Sequence, residues 1–98
     1  MIYKVVATER FDREYIKFTK HNKPLKQKIN DVIEILAINQ FSPTLRSHKA
    51  QTISNGIRWS SRVTGDLRII WDFNNNSDIK IIDLWDIGTH SGSKKVYK

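Results

Sequence analysis

The sequence contains no cysteine, which excludes disulfide staples, thiolate nucleophiles and cysteine-ligated zinc. Its three histidines, His21, His48 and His90, are scattered without the close spacing of a ligand pair, so no metal centre is expected. Glycine and proline are few, at four and two, and no linker, internal repeat or low-complexity segment interrupts the chain. No apolar run approaches the roughly 18 residues of a membrane-spanning helix. The stretch from Met1 to Val6 lacks the apolar core and small-residue cleavage site of a signal peptide. A soluble, cytoplasmic protein with no membrane partner is expected. Walker, dinucleotide-binding, nucleophile-elbow and EF-hand motifs are all missing, which disfavours nucleotide cofactors and serine-type hydrolysis, and no cofactor is expected.

What is present is an ordinary globular composition carrying a large excess of positive charge. The 98 residues suit a single domain, 1–98, and 39% hydrophobic with 28% charged residues rules out wholesale disorder. Seventeen Lys and Arg against ten Asp and Glu give a formal charge of +7. Such a chain attracts polyanions, so nucleic acid or an acidic partner protein is favoured over a basic surface with no target.

The apolar, β-branched run Ile2–Ala7 predicts a strand, and Thr8 with Glu9 supplies a helix cap and an acidic first turn. From Glu9 to about His21, Phe11, Tyr15 and Phe18 share one helical face and are expected in the core. Asn22-Lys23-Pro24 breaks this helix and starts a second, where Leu25, Ile29, Val32, Ile33 and Leu36 recur at core spacing until about Asn39. The hairpin exposes Lys17, Lys20, Lys23, Lys26 and Lys28. A DNA-reading helix-turn-helix is disfavoured, because the second helix spends its regular positions on core contacts.

Beyond Pro43 the period changes to two, and Asn55-Gly56, Thr64-Gly65-Asp66 and Asn74–Ser77 punctuate three antiparallel strands. The first alternates Ile57, Trp59 and Val63 with Arg58, Ser60 and Arg62; the second alternates Leu67, Ile69, Trp71 and Phe73 with Arg68, Ile70 and Asp72. One sheet face is expected to pack on the helices and the other to carry arginines. The third, Ile79–Ile87, is apolar on both parities, which predicts a central strand buried from two sides. Thr44–Lys49 could add a short edge strand, and Gly88–Lys98 reads as a tail. The expected class is α+β.

The Thr64–Asp66 hairpin should bring Arg62 and Arg68 onto one surface, a like-charged pair that suggests phosphate binding unless Asp66, Asp72 or Asp83 neutralises it. His48 enters the sheet beside Lys49, and His90 follows the third strand, both at edges where proton transfer near neutral pH is possible. Tyr97 could serve as well as an apolar ring over the sheet end as a catalytic or stacking group.

The order strand, helical hairpin, three-stranded meander and short tail resembles the RelE/ParE superfamily of toxins from type II toxin–antitoxin modules. His48-Lys49, the run from Gly56 to Trp71, Asp86-Ile87-Gly88-Thr89-His90 and Val96-Tyr97 resemble its RelE and YafQ branch in order and spacing. Ala50 stands where these relatives often carry leucine. The resemblance implies a RelE-like fold and a metal-independent mRNA interferase. Such an enzyme acts on mRNA in the ribosomal A site, the 2′-hydroxyl attacking the adjacent phosphate to leave a 2′,3′-cyclic phosphate. It further implies His48 and His90 for proton transfer, Arg62 and Arg68 for phosphate charge, Asp66 for orienting a neighbour and Tyr97 for stacking or positioning. Lys49, Arg58, Lys94 and Lys95 would add RNA-binding charge. A cognate antitoxin is implied as partner, with operator DNA contacted only through the antitoxin complex. The alternatives are a ParE-like DNA gyrase inhibitor and a partner-binding relative that does not cleave, and the two histidines argue against both.

Overall fold

The computed structural model describes residues 2–75, 78–92 and 94–98. In chain order it contains β1 (Lys4–Ala7), α1 (Glu9–Thr19), α2 (Lys23–Ile38), a single 3-10 turn (Pro43–Leu45), β2 (His48–Gln51), β3 (Ile57–Arg62), β4 (Leu67–Asn74) and β5 (Ile81–Thr89). Of the expected turn after Phe73, Asn76 and Ser77 lie outside the described residues.

Both helices begin where side-chain oxygens meet otherwise orphaned backbone donors. The Phe11 N–H donates to Thr8 Oγ1 at 3.2 Å, and the Leu25 N–H donates to Asn22 Oδ1 at 3.1 Å with Pro24 in the first turn. Helix α1 stops at Thr19, two residues before the expected end, where the Thr19 hydroxyl donates to the Tyr15 carbonyl at 2.7 Å. Phe11, Ile29, Val32 and Leu36 are buried, and Tyr15, Phe18, Leu25 and Ile33 pack partly buried around them. Each fully buried aliphatic chain contributes about 1.5–3 kcal/mol, and this face anchors the hairpin to the sheet.

The sheet has five strands in the order β1-β5-β4-β3-β2, antiparallel throughout except for the parallel pair β1 and β5. The expected meander is β3-β4-β5, but its third strand is not the middle one. β4 occupies the centre, and β5 is an interior strand between β4 and β1. The apolar character of β5 on both parities has a local cause. A bulge opposite Ile70 and Trp71 shifts the alternation, so Ile82 and Leu84 before it and Ile87 after it all join the helix-side core. The expected edge strand over Thr44–Lys49 is likewise corrected. Pro43–Leu45 form the 3-10 turn, Arg46 adopts a left-handed backbone with φ 49° and ψ 43°, and extended pairing begins only at His48.

The face away from the helices is crossed by the C-terminal segment. Thr89 bridges Lys95, Thr52 bridges Tyr97, and the Lys98 N–H donates to the Gln51 carbonyl at 2.9 Å. Gly88 allows this crossing: a Cβ there would stand 2.6 Å from Val96 Cγ1 and closer still to the Lys94 carbonyl oxygen.

Candidate active site

Strand alternation assigns each side chain in this region to a face. Ser47 points to the helix side, where its hydroxyl meets Ser61, and His48 falls on the open face, registered opposite Ser60. The Ser60 hydroxyl lies 2.5 Å from the Tyr97 hydroxyl, which ties the C-terminal segment down beside His48. At the end of β5, the His90 N–H donates to the Asp66 carbonyl at 2.8 Å and approaches Asp66 Oδ1 at 3.2 Å. The hairpin thereby holds the backbone of His90, while its ring stands edge-on to Tyr97 with centroids 5.1 Å apart. The His48 ring lies 6.3 Å from the Tyr97 ring, and its Nδ1 is 3.0 Å from the Arg46 carbonyl oxygen. His48, Tyr97 and His90 line one open groove of about 260 Å³, bordered by Lys49, Ala50, Gln51 and Lys98. Residues 48 and 90, distant in sequence, thus flank one phenol ring.

The arginines are arranged less simply than alternation suggests. Arg62 and Arg68 are registered directly opposite each other, as the hairpin requires. Arg68, however, folds its guanidinium back onto its own hairpin, donating to the carbonyls of Thr64 at 2.6 Å, Gly65 at 3.1 Å and Leu67 at 3.2 Å. That occupies Arg68. Arg62 makes no hydrogen bond or ion pair among the described residues, and its Nη2 lies 3.9 Å from where a Cβ on Gly65 would stand. Arg58 is committed elsewhere, ion-paired to Asp72 at 3.2 Å and stacked 4.5 Å above the Trp85 ring.

The remaining predicted residues are dispersed. Lys49 borders the histidine groove, yet its ammonium sits 5.2 Å from the Trp59 ring centroid, on the side of the sheet opposite His48. Lys94 and Lys95 border a small groove beside the Arg10–Asp86 ion pair. Among the described residues no three His, Asp or Glu side chains are grouped to hold a metal ion. Sequence reasoning missed Ser60, Arg46 and the role of Gly88. A serine pair at adjacent strand positions, Ser60-Ser61, was a visible signal, since it places one hydroxyl on each face.

Two exposed imidazoles that each neighbour one phenol ring can take up and deliver a proton at a bound phosphodiester. Arg62 does not line this groove but a separate one, beside Lys28 and Asp31 of α2. No protein-family model and no curated protein matches this chain. Solved structures do. A YoeB/ParE toxin from Agrobacterium tumefaciens superposes with a TM-score of 0.71 at 18% identity, covering 90% of this chain and 99% of that one. A RelE–RelB complex from Pyrococcus horikoshii matches with a TM-score of 0.70 at 16% identity, over 95% of this chain and 100% of the other. The Escherichia coli DinJ–YafQ toxin–antitoxin complex matches with a TM-score of 0.69 at 16% identity, over 92% and 94%. The protein is an α+β domain with the RelE-like fold. Within that fold class it is similar to the RelE, YafQ and YoeB/ParE toxins.

Proposed function

We propose that this protein is the toxin of a type II toxin–antitoxin pair and a metal-independent endoribonuclease that cleaves mRNA in the ribosomal A site. The observation that carries the reading is the convergence of His48, Tyr97 and His90 on one open groove of a strongly basic chain. Its fold is that of toxins solved with their antitoxins, which supports a cognate antitoxin as partner; in this reading the pair is cytoplasmic, and the antitoxin folds over the basic surface and carries any operator contact.

In this reading one histidine takes the proton of the ribose 2′-hydroxyl as its oxygen bonds to phosphorus. The phosphorus–5′-oxygen bond breaks, and the other histidine protonates the leaving oxygen, leaving a 2′,3′-cyclic phosphate. Each positioned proton transfer contributes about 10²- to 10⁴-fold. Arg62, free of internal partners among the described residues, lines the neighbouring groove beside α2 and in this reading turns toward the phosphate to balance charge on the phosphorane-like transition state. Asp66 holds His90 through its backbone, and Tyr97 offers its ring for stacking while Ser60 holds its hydroxyl.

The test is brief induction of wild type and His90→Ala in a bacterial host, with 5′ ends of cellular mRNA mapped within minutes. Cleavage at coding-frame positions by wild type, reduced at least a hundredfold in the variant, is expected. Growth arrest with intact mRNA and signs of DNA damage would overturn the nuclease reading in favour of gyrase inhibition.

A further inference from the structure

We infer that Arg46 is a positioning residue whose left-handed backbone fixes the His48 imidazole as the Nδ1–H tautomer, leaving Nε2 as the proton acceptor. The inference rests on the nuclease reading only for what that acceptor then does: it assigns His48 the part of base toward the 2′-hydroxyl.

The geometry begins in the core. The Trp71 Nε1–H donates to Ser61 Oγ at 2.7 Å, and the Ser47 hydroxyl donates to the Gln40 carbonyl at 2.7 Å. The two serine oxygens lie 2.6 Å apart. Ser47 has a single hydroxyl hydrogen, and Gln40 takes it, so Ser61 must donate to Ser47. The direction of every bond in the relay from Trp71 to Gln40 is thereby determined. Trp71 and Ser61 are fully buried, so the relay clamps Ser47 against a rigid part of the sheet.

Ser47 lies between Arg46 and His48, and the clamp acts on both neighbours. Arg46 is the one non-glycine residue with positive φ among the described residues, at 49°. That conformation is uncommon outside glycine, asparagine and aspartate. It follows the 3-10 turn and turns the Arg46 carbonyl toward the His48 ring, whose Nδ1 lies 3.0 Å from the oxygen. A carbonyl oxygen can only accept, so Nδ1 carries the hydrogen, and in the neutral ring Nε2 is left with a free lone pair. The groups facing His48 are Ser60 across the strand pair and the Tyr97 ring. The Tyr97 and Ser60 hydroxyls are bonded to each other, and the His48 ring shares its groove with His90. His90 has no carbonyl partner for its ring among the described residues, so it carries no such tautomer constraint.

The test is long-range ¹H–¹⁵N spectroscopy of the isolated full chain labelled at histidine, in alkaline buffer where the rings are neutral. His48 is assigned by its loss in His48→Gln. The Nδ1–H pattern is expected for His48 in wild type and in Arg46→Gly, which keeps the left-handed backbone. Arg46→Val strains that backbone, and the expected result is a shift of His48 toward Nε2–H with a cleavage rate at least about tenfold lower, His90 signals unmoved. Predominant Nε2–H in wild type, or an unchanged tautomer in Arg46→Val, overturns the inference. Should Arg46→Val fail to fold, the wild-type spectrum still decides. The tautomer is read without RNA, so a wild type that cleaves no mRNA sinks the nuclease reading through the mapping experiment, whereas this inference stands or falls on the His48 spectrum.

Discussion

At the scale of single residues, the candidate site is built by ordinary hydrogen bonds, one from a backbone N–H and one between hydroxyls, that position exposed side chains. His90 is placed by its own N–H on Asp66, and Tyr97 is placed by its hydroxyl on Ser60. Ser60 is fully buried, so removing its partner leaves a buried hydroxyl short of a bond. Tyr97→Phe is accordingly expected to lower stability by about 1 kcal/mol, measured by denaturant unfolding, while keeping the ring and most of the cleavage rate. Tyr97→Ala removes the ring between the histidines and is expected to abolish cleavage in the same assay; full activity in that variant would remove Tyr97 from the site. His48, His90 and Tyr97 were legible as candidates from residue type and place in the chain, and Asp66 only through the resemblance. The commitment of Arg58 to Asp72 and of Arg68 to its own hairpin was not, because strand alternation says which face a side chain leaves from and nothing about which carbonyl or carboxylate its long arm reaches.

At the scale of elements, the two helices were the most readable part of the chain. Their apolar positions recur at helical spacing, and their caps are local side-chain to backbone bonds. Leu36 is fully buried in this face, and Leu36→Ala is expected to cost about 2–5 kcal/mol, read as a lower denaturant midpoint. The strands were readable as segments and β5 as an interior one, but not that β4 takes the centre, since that depends on β1 and β2 adding at opposite ends of the meander, and not that a bulge moves the core residues of β5 from one parity to the other. A bulge depends on the partner strand, so apolar residues on both parities do not by themselves tell a bulged strand from one buried on two faces. The C-terminal segment behaves as a strap rather than a tail. Gly88→Ala places a methyl group against Val96 and the Lys94 carbonyl, so it is expected to displace residues 94–98 and carry Tyr97 out of the groove. Faster amide exchange at Val96 and Tyr97 together with lost cleavage would bear this out, and unchanged exchange would refute it.

At the scale of the whole molecule, a charge of +7 on 98 residues dominates any encounter with a polyanion. RNA binding by the inert His48→Gln/His90→Gln chain is expected to fall linearly with salt on logarithmic axes, measured by fluorescence anisotropy. Binding insensitive to salt would show that charge does not drive it. Composition and periodicity by themselves determined the sign of that charge, the freedom from thiol chemistry, the helical hairpin with its buried face and the existence of a β-meander, because each depends on residue type or on spacing along a single element. Only the tertiary structure decided that β1 closes the sheet beside β5, that the C-terminal segment crosses the open face, and that His48, Tyr97 and His90 share one groove. Those arrangements follow from pairings between segments dozens of residues apart, and the free energy that selects one such pairing over another resides in the packed whole.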